Sequence, residues 1–281
     1  EPSGEVIRTG PGVSGWSPGD KAVLEPALYC YHCEFCMTGK HNVCANLRFL
    51  STPSDPGFFR EIVNLPVPNV LPLPRNLSFA EGSLIEPLAV ALHSLKFADP
   101  KMGETCVVFG AGPIGLLTLS ALKLSGVGRT WVVEPEAHRR ALASQLGADV
   151  VLDPRSVNIV EEIRRDTGKR GVDLVIDCAA KDNTMNESLR VARNAARIVY
   201  TGIPSELTVN LEFHEIRRKE LILYNVRRSN HESELALHLL SQYTNRFAPI
   251  LTHERPMEQI AGAFDLLEHY SDNSVKVTVT P

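Results

Sequence analysis

Four of the six cysteines lie within a stretch of fifteen residues, in the pattern C-x2-C-x2-C-x7-C: Cys30, Cys33, Cys36 and Cys44. Disulfides between such close neighbours would be strained. Two C-x2-C turns instead aim their sulfurs at one point, and four thiolates complete the tetrahedral shell that zinc prefers. A full set of protein ligands leaves no open coordination position, so the pattern predicts a structural zinc site. The alternatives are a secreted disulfide framework and an iron–sulfur cluster, which cysteine thiolates also hold.

A glycine-rich turn follows the apolar run Val107-Val108-Phe109 and opens a helical pattern. In this G-x-G-x-x-G segment the first glycine permits the turn, the second admits a pyrophosphate, and the third packs the helix against the sheet. The new helix offers free N–H groups to phosphate. These features predict a dinucleotide site formed by Gly110, Gly112, Pro113, Ile114 and Gly115.

An acidic residue, Glu134, follows the next predicted strand, 19 residues after Gly115. A carboxylate at this spacing accepts hydrogen bonds from the ribose hydroxyls and repels a 2′-phosphate, so it favours NAD. His138, Arg139 and Arg140 lie close behind it and offer an alternative role, binding a 2′-phosphate. We favour a basic helix face for these three residues.

The chain has two parts with different secondary-structure patterns, and these must position the residues named above. Residues 1–88 are rich in Pro and Gly and carry short strand-like runs, at Glu5–Ile7, Lys21–Leu24 and Arg60–Val63, which predict a small β-rich domain. From about Gly103 strands and helices alternate, which predicts an α/β fold with a doubly wound parallel sheet of the Rossmann type. Leu207–Leu211 and Leu221–Tyr224 are its last predicted strands, and two helices and a final strand follow.

The composition excludes several classes of protein. The 281 residues are 43% hydrophobic and 22% charged, which is ordinary for a globular chain and too apolar for a disordered one. No apolar run reaches the ~18–20 residues of a membrane span. A net charge of −4 argues against nucleic acid or an anionic membrane as the main partner. We therefore expect a cytoplasmic protein.

The sequence resembles the zinc-containing medium-chain dehydrogenases over its whole length, and within them the polyol (sorbitol, L-iditol, xylitol) dehydrogenase branch. The resemblance rests on five segments: Glu1-Pro2-Ser3-Gly4-Glu5-Val6, Pro18-Gly19-Asp20-Lys21-Ala22-Val23, the four-cysteine loop, Ile85-Glu86-Pro87-Leu88-Ala89-Val90 and the glycine-rich turn. It implies a GroES-like catalytic domain at 1–88, N-terminally incomplete, with the structural zinc loop at 30–44. It further implies a Rossmann NAD-binding domain at 89–225 and a return to the catalytic domain at 226–281.

The resemblance also implies a catalytic zinc. In this family a Cys, the His of a Gly-His-Glu motif and a third residue bind the metal, and the Glu of the motif can bind the metal or its water. Glu1 matches that Glu, so the Cys and His are expected upstream of residue 1. Glu86 matches the third ligand, where polyol dehydrogenases have Glu and alcohol dehydrogenases have Cys. The alternative for Glu86 is a carboxylate stabilised by a helix N-terminus.

The remaining matches concern substrate and cofactor. Arg227 falls where polyol dehydrogenases carry a substrate-contacting Arg, and Arg228 falls where several carry a Tyr. Thr201 and Ile203 match the segment that meets the nicotinamide, and Arg139 joins the predicted cofactor site.

The implied activity is reversible hydride transfer between a secondary alcohol of the polyol class and NAD, with zinc as Lewis acid. The small-molecule substrate and a homodimer or homotetramer are the implied partners. Two alternatives stay open: a zinc dehydrogenase for another alcohol or an amino acid, and a non-catalytic NAD-binding sensor or scaffold.

Overall fold

The computed structural model describes the backbone of residues 1–281 and every side chain except that of residue 182. In chain order the strands are β1 (Ser3–Glu5), β2 (Lys21–Leu24), β3 (Ala27–Leu28), β4 (Arg48–Phe49), β5 (Val70–Pro72), β6 (Thr105–Phe109), β7 (Arg129–Val133), β8 (Val150–Leu152), β9 (Val172–Asp177), β10 (Ala192–Tyr200), β11 (Ile222–Asn225), β12 (Leu251–Pro256) and β13 (Lys276–Thr280).

The helices alternate with these strands in the middle of the chain and cluster near its C-terminal end. They are α1 (Glu34–Met37), α2 (Phe79–Gly82), α3 (Ile85–Ala98), α4 (Pro113–Leu124), α5 (Ala137–Gln145), α6 (Ile159–Asp166), α7 (Asp182–Val191), α8 (Phe213–Lys219), α9 (Ser233–Gln242), α10 (Thr244–Phe247) and α11 (Ile260–Glu268). In the part of the chain that the structure describes, no helix is both long and apolar enough to cross a bilayer.

The chain folds into two compact units. The first comprises Glu1–Ala89 and Arg228–Pro281, and the second comprises Val90–Arg227. The first unit therefore contains both ends of the chain, and the second is a continuous insertion.

The first unit is built from small sheets. Strands β1, β2 and β5 form a three-stranded antiparallel sheet, β3 pairs with β4, and β12 pairs with β13 in parallel. The β3–β4 ladder brackets the four-cysteine loop, because β3 ends just before Cys30 and β4 begins just after Cys44. The loop therefore grows out of a paired two-stranded base.

The second unit is a six-stranded parallel sheet in the order β11-β10-β9-β6-β7-β8. Buried aliphatic and aromatic residues form its core, among them Val107, Trp131, Val175 and Ile198. The chain moves outward from β6 in one direction and then from β9 in the other, so the order reverses between these two strands. The doubly wound parallel sheet predicted from the sequence is confirmed, and this reversal marks the crevice where such sheets bind ligands.

Two predicted strands are absent from the structure. Leu207–Leu211 is irregular, and β10 pairs directly with β11, the next strand along the chain. Its first residue, Leu207, is fully exposed. Arg60–Val63 is likewise irregular. Leu207–Leu211 has apolar residues at the alternating spacing of a strand, but a strand forms only where a partner accepts its hydrogen bonds.

Candidate functional site

The four-cysteine loop brings all its sulfurs to one point. The ligand atoms of Cys30, Cys33, Cys36 and Cys44 lie within 4.8 Å of one another. The Cys30–Cys36 and Cys33–Cys44 sulfur pairs are each 3.9 Å apart, and the Cys30–Cys44 pair is 3.5 Å apart. Four sulfurs at about 2.3 Å from a central zinc would be separated by about 3.8 Å, so the loop fits a tetrahedral zinc. All six cysteines are free thiols.

Backbone N–H groups of this loop stabilise an anionic sulfur by hydrogen bonding. The Cys33 N–H donates to the Cys30 sulfur over 3.4 Å. A hydrogen bond from the His32 backbone, together with the Asn46 side chain, lowers the pKa of Cys30 to about 5. A thiolate is the form that binds zinc. Among the described residues this loop is the one group of three or more His, Cys, Asp or Glu side chains placed to hold a metal.

A second polar group of the first unit surrounds Glu86, which lies in the first turn of α3. Burial raises the pKa of Glu86 to about 7, and the Glu1 carboxylate adds to the rise, whereas Lys276 and Arg228 oppose it. Lys276 is buried and its Nζ donates to the Glu1 Oε2. Two mutually repelling carboxylates next to apolar surroundings suit a divalent cation as a counter-charge.

A small cleft joins Glu86 to the cationic residue Arg228. Its other lining residues include Glu25, Tyr29 and Phe49. The Arg228 guanidinium lies over the Phe49 ring, 3.6 Å from the ring centroid, in cation–π geometry. The structure therefore gives Arg228 a defined place near Glu86.

Three residues of this site were missed or undervalued by the sequence reasoning. The sequence places Arg228 only at a position where several relatives carry a Tyr, and it predicts no role for Tyr29 or Lys276. Lys276 carried a readable signal, because it is the one charge in the run Val275-Lys276-Val277-Thr278-Val279, and a buried charge in a strand demands a partner. Arg227, the predicted substrate-contacting residue, is an exposed residue of the second unit.

The glycine-rich turn occupies the carboxyl end of β6 in the second unit. Gly110 adopts a φ of +89°, which L side chains rarely adopt. A Cβ on Gly115 would lie 1.9 Å from the Gly110 carbonyl oxygen, so only glycine fits there. Helix α4 begins at Pro113, immediately after Gly112, and Ile114 is in its first turn. The free N–H groups of that turn can receive a pyrophosphate.

Glu134 is buried directly after β7, and its carboxylate is hydrogen-bonded to the glycine-rich turn. Its Oε2 accepts a hydrogen bond from the Ala111 N–H over 2.7 Å, and its Oε1 accepts one from the Glu136 N–H over 2.9 Å. Each carboxylate oxygen retains lone-pair capacity for a ribose hydroxyl. Glu134 therefore both shapes the turn and presents negative charge beside it.

The basic residues behind Glu134 differ in their partners. Arg140 donates to the Glu134 and Pro135 carbonyls and pairs with Asp153 over 3.0 Å. Arg139 points toward the turn, since a Cβ on Gly112 would lie 3.9 Å from its guanidinium nitrogen. Arg139 is thus the basic side chain that reaches the glycine-rich turn.

The loops after β9 and β10 complete this edge of the sheet. Asp177 is fully buried and accepts hydrogen bonds from the Ala179 and Ala180 N–H groups, each over 2.9 Å. Thr201 is also buried, and its hydroxyl donates to Ser94 Oγ over 2.9 Å. Ile203, predicted beside the nicotinamide, is almost fully exposed. The structure thus collects the turn, Glu134 and Thr201 at the carboxyl edge of one parallel sheet.

Comparison with known proteins agrees with both units. A family model described as the alcohol dehydrogenase GroES-like domain matches residues 1–75, and one described as zinc-binding dehydrogenase matches residues 113–242. Human sorbitol dehydrogenase is 30% identical over 94% of this chain and 74% of its own length. The chain belongs to the zinc-containing medium-chain dehydrogenases. The family predicted from the sequence is therefore confirmed, and so are its GroES-like and Rossmann-type domains. The predicted enzyme class, an NAD-dependent zinc alcohol dehydrogenase, is confirmed as well.

Other relatives of the dehydrogenase show how broad the family is. L-threonine 3-dehydrogenase of Pyrococcus furiosus is 31% identical over 95% of this chain and 77% of its own length. An alcohol dehydrogenase of Escherichia coli CFT073, solved with NADH, superposes with a TM-score of 0.92 at 28% identity, covering 99% of this chain and 82% of that one. Zinc and NAD are the cofactors of the dehydrogenase.

Replacing Glu134 with Gln in the dehydrogenase is expected to weaken NADH binding about tenfold and to narrow the preference for NADH over NADPH. The substitution removes a charged acceptor, worth about 1.5–3 kcal/mol, and also the charge that repels a 2′-phosphate. Fluorescence titration with both cofactors gives the two Kd values. Glu136→Gln is the matched control, because Glu136 pairs with Arg155. Equal cofactor preference in the two variants would contradict the assignment of Glu134.

Proposed function

We propose that the dehydrogenase transfers a hydride reversibly between a secondary alcohol of a polyol and NAD at a catalytic zinc. The observation that carries the proposal is Glu86, a partly buried carboxylate with a raised pKa beside Glu1. A buried carboxylate requires a reason, and a metal ligand supplies one. A carboxylate rather than a thiol at this position favours the polyol branch, to which the sequence was assigned by resemblance.

The proposed ligands of the catalytic zinc among these residues are Glu86 and Glu1. A bound zinc would supply Lewis-acid polarisation of the alcohol oxygen. Lys276 holds the Glu1 carboxylate in place, and its charge, with that of Arg228, favours the ionised form of Glu86. Arg227 is retained as the proposed substrate contact from the resemblance, and Arg228 is added because it lines the cleft of Glu86.

The proposed cofactor site lies at the carboxyl edge of the parallel sheet. Gly110, Gly112 and Gly115, with Pro113 and Ile114, would receive the pyrophosphate, and Glu134 with Arg139 would bind the adenosine ribose. Thr201 and Ile203 would flank the nicotinamide, the group that accepts the hydride. In this proposal 1–88 and 226–281 form the catalytic domain and 89–225 the NAD-binding domain.

A substrate panel with NAD tests the proposal. Sorbitol, xylitol, L-threonine and ethanol are compared by the rate of NADH formation, and zinc is counted per chain. We expect kcat/KM for a polyol to exceed that for L-threonine by at least about 100-fold, because a site built to hydrogen-bond substrate hydroxyls discriminates by up to about 10⁴–10⁵-fold against an analogue that lacks them. A preference for L-threonine would favour the amino-acid alternative. NAD binding without turnover, and one zinc per chain, would favour a non-catalytic role.

The exposed apolar residues of the second unit support a homodimer or homotetramer. Ile222 lies on β11 at the edge of the sheet, and Ile203, Leu207 and Phe213 are exposed in the segment before it. An uncovered apolar sheet edge is a site for association with another chain. The mass in solution, measured by light scattering, is expected to be two or four times that of one chain, and the mass of a single chain would contradict the proposal.

A further inference from the structure

The segment that carries Arg228 is held in an unfavourable backbone conformation. Arg228 has a φ of +55° and His231 a φ of +70°. Left-handed conformations of residues with side chains are costly and persist only where the surrounding contacts impose them. The contacts on residues 228–232 must therefore be strong enough to hold this shape.

The main contacts come from Asn230 and reach into the four-cysteine loop. Its Oδ1 accepts hydrogen bonds from the backbone N–H groups of His41, over 3.0 Å, and Asn42, over 3.4 Å. Its Nδ2 donates to the Gly39 carbonyl over 2.8 Å. One side-chain amide thus binds the stretch 39–42, which lies between the third and the fourth cysteine of the loop, Cys36 and Cys44.

Two further contacts lie on either side of Asn230. The His231 Nε2 lies 2.7 Å from the His41 Nδ1, and the two rings meet edge-on with centroids 4.4 Å apart. At the other end, the Arg228 guanidinium stacks on Phe49, which belongs to the β3–β4 base of the loop. The loop and its base therefore hold the segment 228–232 at three points.

We propose that Asn230 is a positioning residue, through which the four-cysteine loop sets Arg228 beside Glu86. The zinc loop, in this view, orders one wall of the catalytic cleft as well as its own fold. The consequence for turnover rests on the proposed function of Glu86, whereas the coupling between the loop and the segment 228–232 does not.

Amide hydrogen exchange tests the coupling in the full chain. Chelation of zinc from the wild-type protein is expected to speed exchange in a peptide covering 228–236 about tenfold, roughly the worth of one or two hydrogen bonds. In Asn230→Ala with zinc bound, exchange in this peptide should already be about tenfold faster, and chelation should add less than twofold.

Asn76→Ala is the matched control, because Asn76 also uses its side-chain amide to bridge distant segments, by hydrogen bonds with Ser241. It should leave the 228–236 peptide unchanged. Asn230→Asp keeps the acceptor for His41 and Asn42 and should restore part of the protection. The proposal is overturned if Asn230→Ala behaves like Asn76→Ala, or if chelation of the wild type leaves the peptide unaffected.

A double-mutant cycle with Arg228→Ala separates positioning from general destabilisation. Asn230→Ala should raise KM or lower kcat severalfold in the wild-type background but have little further effect when Arg228 is absent, while its effect on Tm is the same in both backgrounds. Additive effects on kcat/KM would overturn the proposal. Failure of the wild type to oxidise any alcohol would instead refute the proposed function. The exchange experiment would still decide whether the loop and the segment 228–232 are coupled.

Discussion

Replacing Glu86 with Gln is expected to lower kcat/KM by about 10³-fold or more, with most of the loss in kcat. The neutral amide is a weaker ligand than the carboxylate and cannot offset the charge of a divalent ion. A zinc ion bound less well, or displaced, stabilises the developing alkoxide less. Loss of one electrostatic stabiliser of a transition state typically costs about 10²–10³-fold, and a metal ligand stands at or beyond the upper end.

Zinc content must be measured together with the rate. If Glu86 is a ligand, the variant should lose the zinc that is not bound by the cysteine loop, while the zinc of that loop remains. Excess zinc in the assay should then restore part of the activity.

Glu81→Gln is the control for this experiment. The control makes the same Glu-to-Gln substitution five residues earlier in the chain. There the Glu81 carboxylate accepts hydrogen bonds from the Ser78 N–H and hydroxyl at the start of α2. Glutamine also serves at this position of a capping box, so fold and activity should both survive. If Glu86→Gln retained activity and zinc at the level of Glu81→Gln, the assignment of Glu86 as a ligand would be wrong.

The parts of the site that the sequence predicted are those made by neighbours in the chain. The cysteine loop needs only fifteen residues and two tight turns. The glycine-rich turn is likewise local, because a strand, three glycines and a helix start follow one another directly. Glu134 adds one strand to this unit, and a parallel sheet places the ends of adjacent strands together whatever lies outside.

The parts that the sequence did not predict depend on contacts between distant residues. Lys276 meets Glu1 from the opposite end of the chain, and Arg228 meets Phe49 only because the chain returns to the first unit. Nothing in the local pattern around either residue specifies its partner. The strand predicted at Leu207–Leu211 was wrong for a related reason, since its local pattern was suitable but β10 pairs with β11 instead.

Removing zinc from the cysteine loop is expected to cost stability far more than chemistry. Four thiolates left without their ion would repel one another if ionised, and Cys36 and Cys44 would be buried polar groups if protonated; burial raises the pKa of Cys36 to about 12. The loop would then open as a unit. We expect the free energy of unfolding to fall by about 3 kcal/mol, which corresponds to a fall in Tm of roughly 6–12 °C for a chain of this size.

Cys33→Ser should reproduce the effect of a chelator, with zinc reduced by one ion per chain and a similar fall in Tm. Turnover per folded molecule should fall by about tenfold at most, because the loop acts on the cleft mainly through the hydrogen bonds that hold the segment of Arg228, and a loss of about 1–1.5 kcal/mol is expected from them.

Cys106→Ser is the matched control, since Cys106 is a fully buried thiol outside the loop. It should lower Tm modestly through the cost of a buried hydroxyl but leave the zinc content unchanged. The zinc count therefore separates the two sources of instability. A chelated protein that had lost the ion of the loop but kept its Tm would show that the cysteines do not stabilise the fold through zinc. If Cys33→Ser kept a normal Tm but lost as much catalytic rate as Glu86→Gln, the cysteine loop would have a catalytic role and not a structural one.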